Sequence, residues 1–162
     1  MTVGYGLRKD ETCVFAGSFD PPHLGHADII GRCNMMFGKV IVAVGINPAK
    51  KYRYPLEKRL EMLKAICAKY ENVTVTSFDG LLVDFLREVG TVNYVRGIRD
   101  ERDYEYEKKS FDFNVSKMSE INTVFLKCSK EYKNVSSTAV KIAIDSGKNL
   151  DKLLPREIIP LL

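Results

Sequence analysis

The sequence predicts a doubly wound α/β fold built on a five-stranded parallel sheet, Rossmann-like in its order of elements. Two observations predict it. Short β-prone runs alternate with segments of helical periodicity along the chain, and residues 40–46 are apolar without interruption, as in a strand buried on both faces of a parallel sheet. The 162 residues correspond to one domain of about 100–200 residues. We expect that domain to span residues 12–162, after a charged extension over residues 1–11 to which no role is assigned.

Each element has its own signal. The first predicted strand is a β-prone run ended by Gly17, and the third alternates between apolar and polar residues. In the second predicted helix, Leu56, Leu60 and Leu63 step by four and three along one face. Gly147 is a C-terminal stop for a later helix. The predicted strands are residues 12–16, 40–46, 73–78, 91–95 and 123–126; the predicted helices are residues 24–37, 56–67, 81–89, 103–118 and 137–146, and Pro155 opens a last short helix.

Composition and charge exclude several classes of protein. The chain is 45% hydrophobic and 28% charged, which excludes a disordered or collagen-like chain. No stretch approaches the roughly 20 apolar residues of a membrane-spanning helix, and the first residues lack the apolar segment of a signal peptide. We therefore expect a cytoplasmic protein without a membrane partner. The net charge of +4, spread along the chain, does not identify a nucleic-acid partner, and none is expected.

The four cysteines show no CxxC spacing, so a structural zinc site is not expected. Two of them, Cys33 and Cys67, lie on apolar helix faces, where cysteine behaves as a small hydrophobic residue. We therefore expect free, buried thiols.

The fold class also indicates which loops are expected to bind a ligand. In doubly wound sheets, ligands bind beyond the carboxyl ends of the strands, at the point where strand order reverses. The loops expected to line one crevice are residues 17–26, 47–54, 79–81, 96–103 and 127–137.

Both histidines of the chain lie in the first of these loops, three residues apart at the start of a helix. A helix start offers free backbone N–H groups and a positive dipole end, which suit phosphate. Gly25 permits close backbone approach, and an imidazole can donate a hydrogen bond to a phosphate oxygen. His23 and His26 are thus candidate phosphate ligands, with a metal pair or a structural pair as alternatives. Metal fits poorly, because no further His and no paired Cys completes a ligand set.

Cationic residues follow two other strands. Lys50 and Lys51 come after the second strand, where a solvated loop is the alternative explanation. Arg96 and Arg99 flank Gly97 at the end of the fourth strand. Two arginines there are costly to place without an anion, and guanidinium groups bind phosphate in a bidentate manner. These residues predict an acidic ligand.

A run of three hydroxyl residues, Ser136 to Thr138, begins the helix after the fifth strand. Ordinary N-capping would explain it, and a hydroxyl-and-amide cradle for phosphate is the functional interpretation. Together the loops describe a nucleotide site that stabilises a transferred phosphoryl group without an obvious covalent nucleophile.

These segments resemble nucleotidyltransferases that share a (T/H)xGH motif with class I aminoacyl-tRNA synthetases. Within that group, the sequence closely resembles the bacterial phosphopantetheine adenylyltransferase family over nearly the whole chain. The segments that carry the resemblance are Gly17-Ser-Phe-Asp-Pro21, Gly25-His26, Asn47-Pro-Ala-Lys-Lys51, Arg96-Gly-Ile-Arg99, Asp103-Tyr-Glu-Tyr-Glu107 and Val135-Ser-Ser-Thr138. The resemblance implies transfer of AMP from ATP to 4′-phosphopantetheine, giving dephospho-coenzyme A and pyrophosphate. It also implies Mg²⁺ bound mainly through the ATP phosphates.

The resemblance further implies roles for single residues. The expected catalytic residues are Ser18, His26, Lys50 and Arg96, with His26 steadying the ATP phosphates. The expected acceptor-substrate contacts are Ser18, Lys50, Leu82 and Arg96. The expected ATP contacts are Ser18, Phe19, His23, His26, Gly97, Ile98, Arg99, Glu107, Tyr132, Lys133, Asn134, Val135, Ser136, Ser137 and Thr138. A homohexamer and feedback binding of coenzyme A are likewise implied by the resemblance alone.

His23 is the position at which the chain departs from this family, which commonly has Thr there. HxGH is typical of nicotinamide or nicotinate mononucleotide adenylyltransferases and of cytidylyltransferases. A mononucleotide adenylyltransferase is therefore the alternative function, and a non-catalytic nucleotide-binding regulator on the same fold is a third. Residues 96–99, Glu107 and the short chain favour phosphopantetheine as the acceptor.

Overall fold

A computed structural model describes residues 8–162, with side chains from Asp10 onward. Its strands are β1 (Arg8–Gly17), β2 (Phe37–Ile46), β3 (Val73–Asp79), β4 (Asn93–Ile98) and β5 (Asn122–Lys127). Its α-helices are α1 (Leu24–Met36), α2 (Leu56–Cys67), α3 (Leu82–Val89), α4 (Glu101–Lys117) and α5 (Ser137–Asp145). Two 3₁₀ helices cover Lys130–Tyr132 and Arg156–Leu161.

The five strands form one sheet in the order β3-β2-β1-β4-β5, and all four pairings are parallel. The central strand β1 pairs with β2 on one side and β4 on the other, so that Cys13 lies between Val40 and Asn93. Strand order reverses at this point, between β1 and β4. The predicted doubly wound five-stranded parallel sheet is confirmed.

Several element boundaries differ from the prediction; β2, for example, begins at Phe37, which the sequence assigned to the first helix. Two further differences concern the extension and the site. β1 begins at Arg8, so residues 8–11, assigned from sequence to the extension, belong to the sheet, and Arg8 pairs with Phe37 beyond a register shift. This part of the strand was missed because its residues are charged and Asp10 is exposed, so no apolar run marks it. β4 starts at Asn93 and continues to Ile98, which places Arg96 inside the strand. Residues 1–7 of the predicted extension lie outside the described residues.

Alternate residues of the central strands pack on opposite faces of the sheet. Cys13 and Phe15 belong to a buried cluster with the apolar residues of α1, α2 and the carboxyl-terminal segment. Val14 and Ala16 belong to a second cluster with α3 and the end of α4. Because β1 and β2 are covered on both sides, their apolar residues are continuous in sequence.

All four cysteines are free thiols, three of them buried as predicted and Cys128 partly exposed. Within residues 8–162, none of the helices combines the length and apolar character needed to cross a membrane.

The turn after β1 is held in an unusual backbone conformation. Phe19 has a φ of +49°, which non-glycine residues adopt only where packing enforces it. Its ring is buried and lies edge-on against Phe15 at 5.4 Å and against His26 at 4.8 Å between ring centroids. On either side of Phe19, Ser18 and Asp20 bind the neighbouring loop through Lys50 and through the backbone of Arg53 and Tyr54.

Asp20 binds the backbone of the loop that follows β2. Its carboxylate is 4% exposed and accepts hydrogen bonds from the backbone N–H groups of Arg53 at 2.8 Å and Tyr54 at 2.9 Å. Lys141 of α5 lies 3.2 Å from the same carboxylate. Burial alone raises the pKa of Asp20, but the two N–H donors and Lys141 together hold it below its usual value. The carboxylate is therefore ionised in the folded protein.

Arg59 makes a second link between the same segments. Its buried guanidinium donates to the carbonyl oxygens of Ser18 at 2.8 Å and Tyr54 at 3.0 Å. The guanidinium also lies over the Tyr52 ring, 3.9 Å from its centroid, a cation–π contact. The loops after β1 and β2 are thus bound to each other by buried, charge-assisted hydrogen bonds.

The substitution Asp20→Asn should lower the free energy of unfolding by about 2 kcal/mol or more at pH 7, because buried hydrogen bonds to a charged group are lost. The pKa of Asp20 is lowered in the folded state, so its stabilisation is complete above the unfolded pKa of about 4 and is lost as the pH falls through the folded pKa. Urea unfolding of both proteins between pH 7 and pH 3 measures this.

Asp145→Asn serves as the control, since Asp145 pairs with Arg53 at an exposed position and should change stability little. A stability difference between wild type and Asp20→Asn that does not narrow below pH 4 would show that Asp20 is not held as a carboxylate.

Candidate functional site

Two cavities open side by side at the carboxyl edge of the sheet. The first has a volume of about 270 Å³ and lies between β1, α1, β4 and the loop after β5. The second, of about 360 Å³, lies between β1, β2, β3 and β4. They share Ala16, Gly17, Ser18 and Arg96. Each of the five loops predicted to line one crevice contributes to one or both cavities, because the strand ends meet at this edge.

The first cavity contains most of the residues predicted to contact ATP. They are Ser18, Phe19, His23, His26, Gly97, Ile98, Arg99, Tyr132, Val135, Ser136 and Ser137. Gly25, Asp103 and Cys128 also line it. Four predicted ATP contacts do not line this cavity: Glu107, Lys133, Asn134 and Thr138. Of these, Lys133, Asn134 and Thr138 are exposed, and Glu107 is held behind Arg96.

His23 and His26 cap the start of α1 reciprocally. The backbone N–H of His26 donates to Nδ1 of His23 at 3.3 Å, and the backbone N–H of His23 donates to Nδ1 of His26 at 3.1 Å. The two rings are stacked with their centroids 3.7 Å apart. The structural role that the sequence left open for His23 is therefore real, and the ring also reaches the first cavity.

The capping arrangement determines the tautomers. A backbone N–H can only donate, so the Nδ1 atom of each histidine is an unprotonated acceptor. Each neutral ring then carries its proton on Nε2. Both histidines line the first cavity, so each has one N–H group available to an acceptor oxygen there.

Both histidines are neutral at physiological pH. Burial, with a smaller contribution from the charge of Arg99, lowers the pKa of His23 to about 4. Burial, then the adjacent His23 and the charge of Arg96, holds the pKa of His26 well below its usual range. The pair therefore acts through neutral donors and adds no positive charge of its own.

The start of α1 offers fewer free N–H groups than the sequence suggested. The N–H of Leu24 donates to the carbonyl oxygen of Leu153 at 2.9 Å, and that of His26 is used in capping. Gly25 has a reason beyond ligand access, because a Cβ there would lie 2.9 Å from Cε1 of His23. The glycine leaves room for the His23 ring, so this helix start presents imidazole groups in place of a full set of amides.

The start of α5 faces the same cavity. Ser136 is its N-cap and accepts a hydrogen bond from the N–H of Ala139 at 3.0 Å, while the Ser137 hydroxyl donates to the carbonyl oxygen of Pro21 at 3.4 Å. N-capping therefore accounts for Ser136. It does not exclude anion binding, since the first amides of a helix remain available beside such a cap.

The second cavity contains the residues predicted to bind the acceptor: Ser18, Lys50, Leu82 and Arg96. The Lys50 ammonium donates to the Ser18 hydroxyl at 3.2 Å and lies 5.6 Å from the Tyr52 ring centroid. Lys50 is exposed at the mouth of the cavity. A cation and a hydroxyl therefore meet at the boundary between the two cavities.

Each arginine at the end of β4 has a carboxylate partner within the chain. Arg96 binds both oxygens of Glu107, through Nε at 3.1 Å and through a terminal nitrogen, and donates to the carbonyl oxygen of Ala16 at 2.9 Å. Arg99 binds Asp103 in the same two-point manner, at 2.8 and 3.1 Å. The expectation that these arginines need a bound anion is therefore wrong, since α4 supplies the anions.

Sequence analysis missed the positioning roles of four residues, and it had given one of them, Glu107, a different role as an ATP contact. Asp20 and Arg59 hold the loops, and Asp103 and Glu107 orient the arginines. Asp103 and Glu107 stand in a segment quoted for the resemblance, but their partners are set by the packing of α4 on β4. For Arg59, a charged residue on the otherwise apolar face of a helix was the available signal.

No group of three or more His, Cys, Asp or Glu residues within 8–162 is arranged to hold a metal ion. Asp103, which lines the first cavity, and Glu107, which binds Arg96, are each paired with an arginine. The donor set of the site is thus dominated by N–H, hydroxyl and cationic groups, which suit phosphate oxygens more than a bare metal ion.

Comparison with known proteins identifies the family. The chain matches the cytidylyltransferase-like family over residues 14–143. It is 40% identical over 150 residues to the phosphopantetheine adenylyltransferase of Clostridium botulinum, covering 93% of this chain and 92% of that protein. It is also 40% identical over 146 residues to the Clostridium perfringens enzyme of the same name, covering 90% and 89%. The chain belongs to the phosphopantetheine adenylyltransferase family. The resemblance seen in the sequence is confirmed.

A solved structure gives an independent check of the fold. A chain from Vibrio parahaemolyticus, described as a nicotinate-nucleotide adenylyltransferase, superposes with a TM-score of 0.62, covering 93% of this chain and 97% of that one. The two sequences are 16% identical, so this likeness concerns the fold and not the acceptor.

The tautomers of the two histidines can be tested directly, because the chain has two histidines and their ring nitrogens give a simple NMR spectrum. Both rings should be Nε2–H tautomers, and neither should titrate between pH 6 and pH 8, since burial lowers both pKa values. Long-range ¹H–¹⁵N correlation spectra across that pH range measure this. A ring that titrates near pH 6.5 would contradict the capping arrangement.

Proposed function

We propose that this protein transfers AMP from ATP to 4′-phosphopantetheine, releasing pyrophosphate and forming dephospho-coenzyme A. One observation carries the proposal: two cavities meet at Ser18 and Arg96, one lined by neutral imidazole donors and a helix start, the other by Lys50. A reaction that joins two phosphorylated substrates needs two adjacent sites of this kind. Membership of the family supports the choice of substrates.

ATP fits the first cavity. The stacked pair His23 and His26 would donate from Nε2 to phosphate oxygens, and Arg99 and the start of α5 line the same space. Tyr132 and Val135 also line the cavity and offer a wall on which a nucleoside can pack. The predicted contacts with Lys133, Asn134, Thr138 and Glu107, which do not line this cavity, remain predictions.

The phosphate of the acceptor fits the second cavity, between Lys50 and the boundary at Ser18. Leu82 and Phe78 line the same cavity and offer apolar surface to the pantetheine arm. Arg96 is oriented by Glu107 and Ala16 towards the boundary, so it can contact the phosphate while its own charge stays compensated.

The reaction follows as a direct displacement. An oxygen of the acceptor phosphate attacks the α-phosphorus of ATP, the bond from that phosphorus to the bridging oxygen breaks, and pyrophosphate leaves. Negative charge moves to the leaving group, where the N–H of His26 can donate more strongly as charge develops. The cavities contain no serine, cysteine or lysine activated by an adjacent base, which favours transfer without a covalent enzyme intermediate.

Magnesium belongs to the proposal through the nucleotide. The described residues do not form a carboxylate cage for the ion, so we propose that Mg²⁺ is bound mainly by the ATP phosphates. The ion would neutralise phosphate charge there, while the neutral histidines and paired arginines of the chain orient the triphosphate.

The wider setting is proposed on the same basis. We propose a cytoplasmic homohexamer without nucleic-acid or membrane partners, and feedback binding of coenzyme A, which shares the adenylyl and pantetheine parts of the product. Exposed aromatic residues on α4 support assembly, since Tyr106 is 81% and Phe113 47% exposed and large apolar residues in one region mark interfaces.

His23→Thr should keep most of the activity, because threonine also accepts a hydrogen bond at an N-cap. His23→Ala should lose about tenfold or more in kcat/KM for ATP, since it removes the cap, the stacked ring and one N–H donor. Acceptor preference should not change in either variant. Steady-state kinetics with each acceptor measures this, and a switch of acceptor in His23→Thr would show that this position reads the acceptor.

The acceptor assay separates the candidate functions. With ATP and Mg²⁺, pyrophosphate should be released with 4′-phosphopantetheine and not with nicotinate or nicotinamide mononucleotide, and dephosphorylated pantetheine should be a very poor substrate. Lys50→Ala should raise KM for the acceptor strongly, because a cation facing its phosphate is lost. Lys51→Ala is the matched control, an exposed neighbour of the same charge outside both cavities. Preference for a mononucleotide would establish the alternative function, and no turnover would favour a regulator.

Assembly is tested by light scattering. A hexamer should give a mass of about 110 kDa, six times the 18.4 kDa of one chain, and Tyr106→Glu should reduce it by placing a charge in the interface. A particle of one chain mass in the wild type would contradict assembly.

A further inference from the structure

The outer side of α1 holds the loop that follows β5. The carboxylate of Asp28 accepts hydrogen bonds from the backbone N–H of Ser129 at 3.2 Å and from its hydroxyl at 3.1 Å. One turn later on the helix, Arg32 donates to the carbonyl oxygen of Lys127 and lies 3.7 Å from Asp28. Two consecutive turns of one helix are therefore bound to the beginning of one loop.

Ser129 anchors the following residues of this loop through its backbone carbonyl group. The N–H of Tyr132 donates to the carbonyl oxygen of Ser129 at 2.9 Å, and the N–H of Val135 donates to that of Tyr132 at 3.0 Å. Tyr132 and Val135 line the first cavity. A chain of hydrogen bonds thus runs from Asp28 through Ser129 to the wall of the cavity.

We infer that Asp28 is a positioning residue for the nucleotide, acting through Ser129 on the wall formed by Tyr132 and Val135. The inference rests on the proposed binding of ATP in the first cavity. Asp28 lies two residues after His26 on α1, so one rigid helix sets both the imidazole that faces the phosphates and the wall that faces the nucleoside. Their separation determines how well the nucleotide fits between them.

Asp28 does not belong to the buried face of α1, which consists of Ile29, Ile30 and Cys33. Alanine at its position is compatible with a helix and leaves the core contacts unchanged. Loss of the carboxylate should therefore appear mainly in nucleotide affinity, with a smaller loss of stability from the hydrogen bonds to Ser129.

The experiment compares Asp28→Ala, Ser129→Ala and the double variant. KM for ATP should rise about tenfold in Asp28→Ala, by less in Ser129→Ala, which retains its backbone N–H, and no further in the double variant than in Asp28→Ala. KM for the acceptor should stay within about twofold of wild type, and the midpoint of thermal unfolding should fall by about 5 °C or less because the core packing is unchanged. Ser129→Thr, which keeps the hydroxyl, should restore KM for ATP.

Asp84→Ala on α3 is the matched control, since Asp84 pairs with Arg87 at an exposed position away from both cavities, and it should leave all kinetic constants unchanged. The inference is overturned if Asp28→Ala binds ATP as wild type does, if KM for both substrates rises together, or if the effects of Asp28→Ala and Ser129→Ala are additive in the double variant.

Calorimetry with α,β-methylene ATP distinguishes failure of the proposed function from failure of the role of Asp28. Absence of binding to the wild type refutes the proposed function. Equal binding to wild type and Asp28→Ala refutes only the role of Asp28.

Discussion

The ionised carboxylate of Asp20 is the interaction on which the site depends. It binds two backbone N–H groups of the loop after β2 and the ammonium of Lys141 on α5, so three segments distant in sequence meet at one buried charge. A buried carboxylate without these partners would be costly. The strained turn at Phe19 persists because this network and the packing of the Phe19 ring hold it from both sides.

The chemistry that we propose for the nucleotide side rests on two neutral histidines held in one tautomer. Their reciprocal capping of α1 uses both Nδ1 atoms and leaves both Nε2–H groups as donors. Burial keeps the rings uncharged, so in the proposed reaction positive charge beside the phosphates would come from Arg96, Arg99 and Lys50. Donors without charge stabilise a developing anion without binding the ground-state phosphates as tightly as a cation would.

The fold orients the two arginines through carboxylates of α4. Glu107 and Asp103 each accept hydrogen bonds from Nε and a terminal nitrogen of Arg96 and Arg99, respectively. These bonds fix the direction of each guanidinium in the absence of ligand. A side chain that is already oriented loses less conformational entropy on binding. Because α4 supplies both carboxylates, the helix that carries the exposed aromatic residues also sets the geometry at the end of β4.

The sequence alone determined the sheet, because buried parallel strands appear as apolar runs in the chain. It also determined the loops that line the crevice and most of the candidate residues in the cavities, because the carboxyl ends of parallel strands meet at one edge of the sheet. The motif around His26 and the segment from Arg96 to Glu107 also carried the family. Tertiary structure decided the rest. Contacts between different segments of the chain determine which carboxylate pairs with Arg96, which backbone groups Asp20 binds and how far β1 extends. Some of these segments are far apart in sequence, as are Asp20 and Lys141. Such contacts follow from packing and leave no periodicity in the chain.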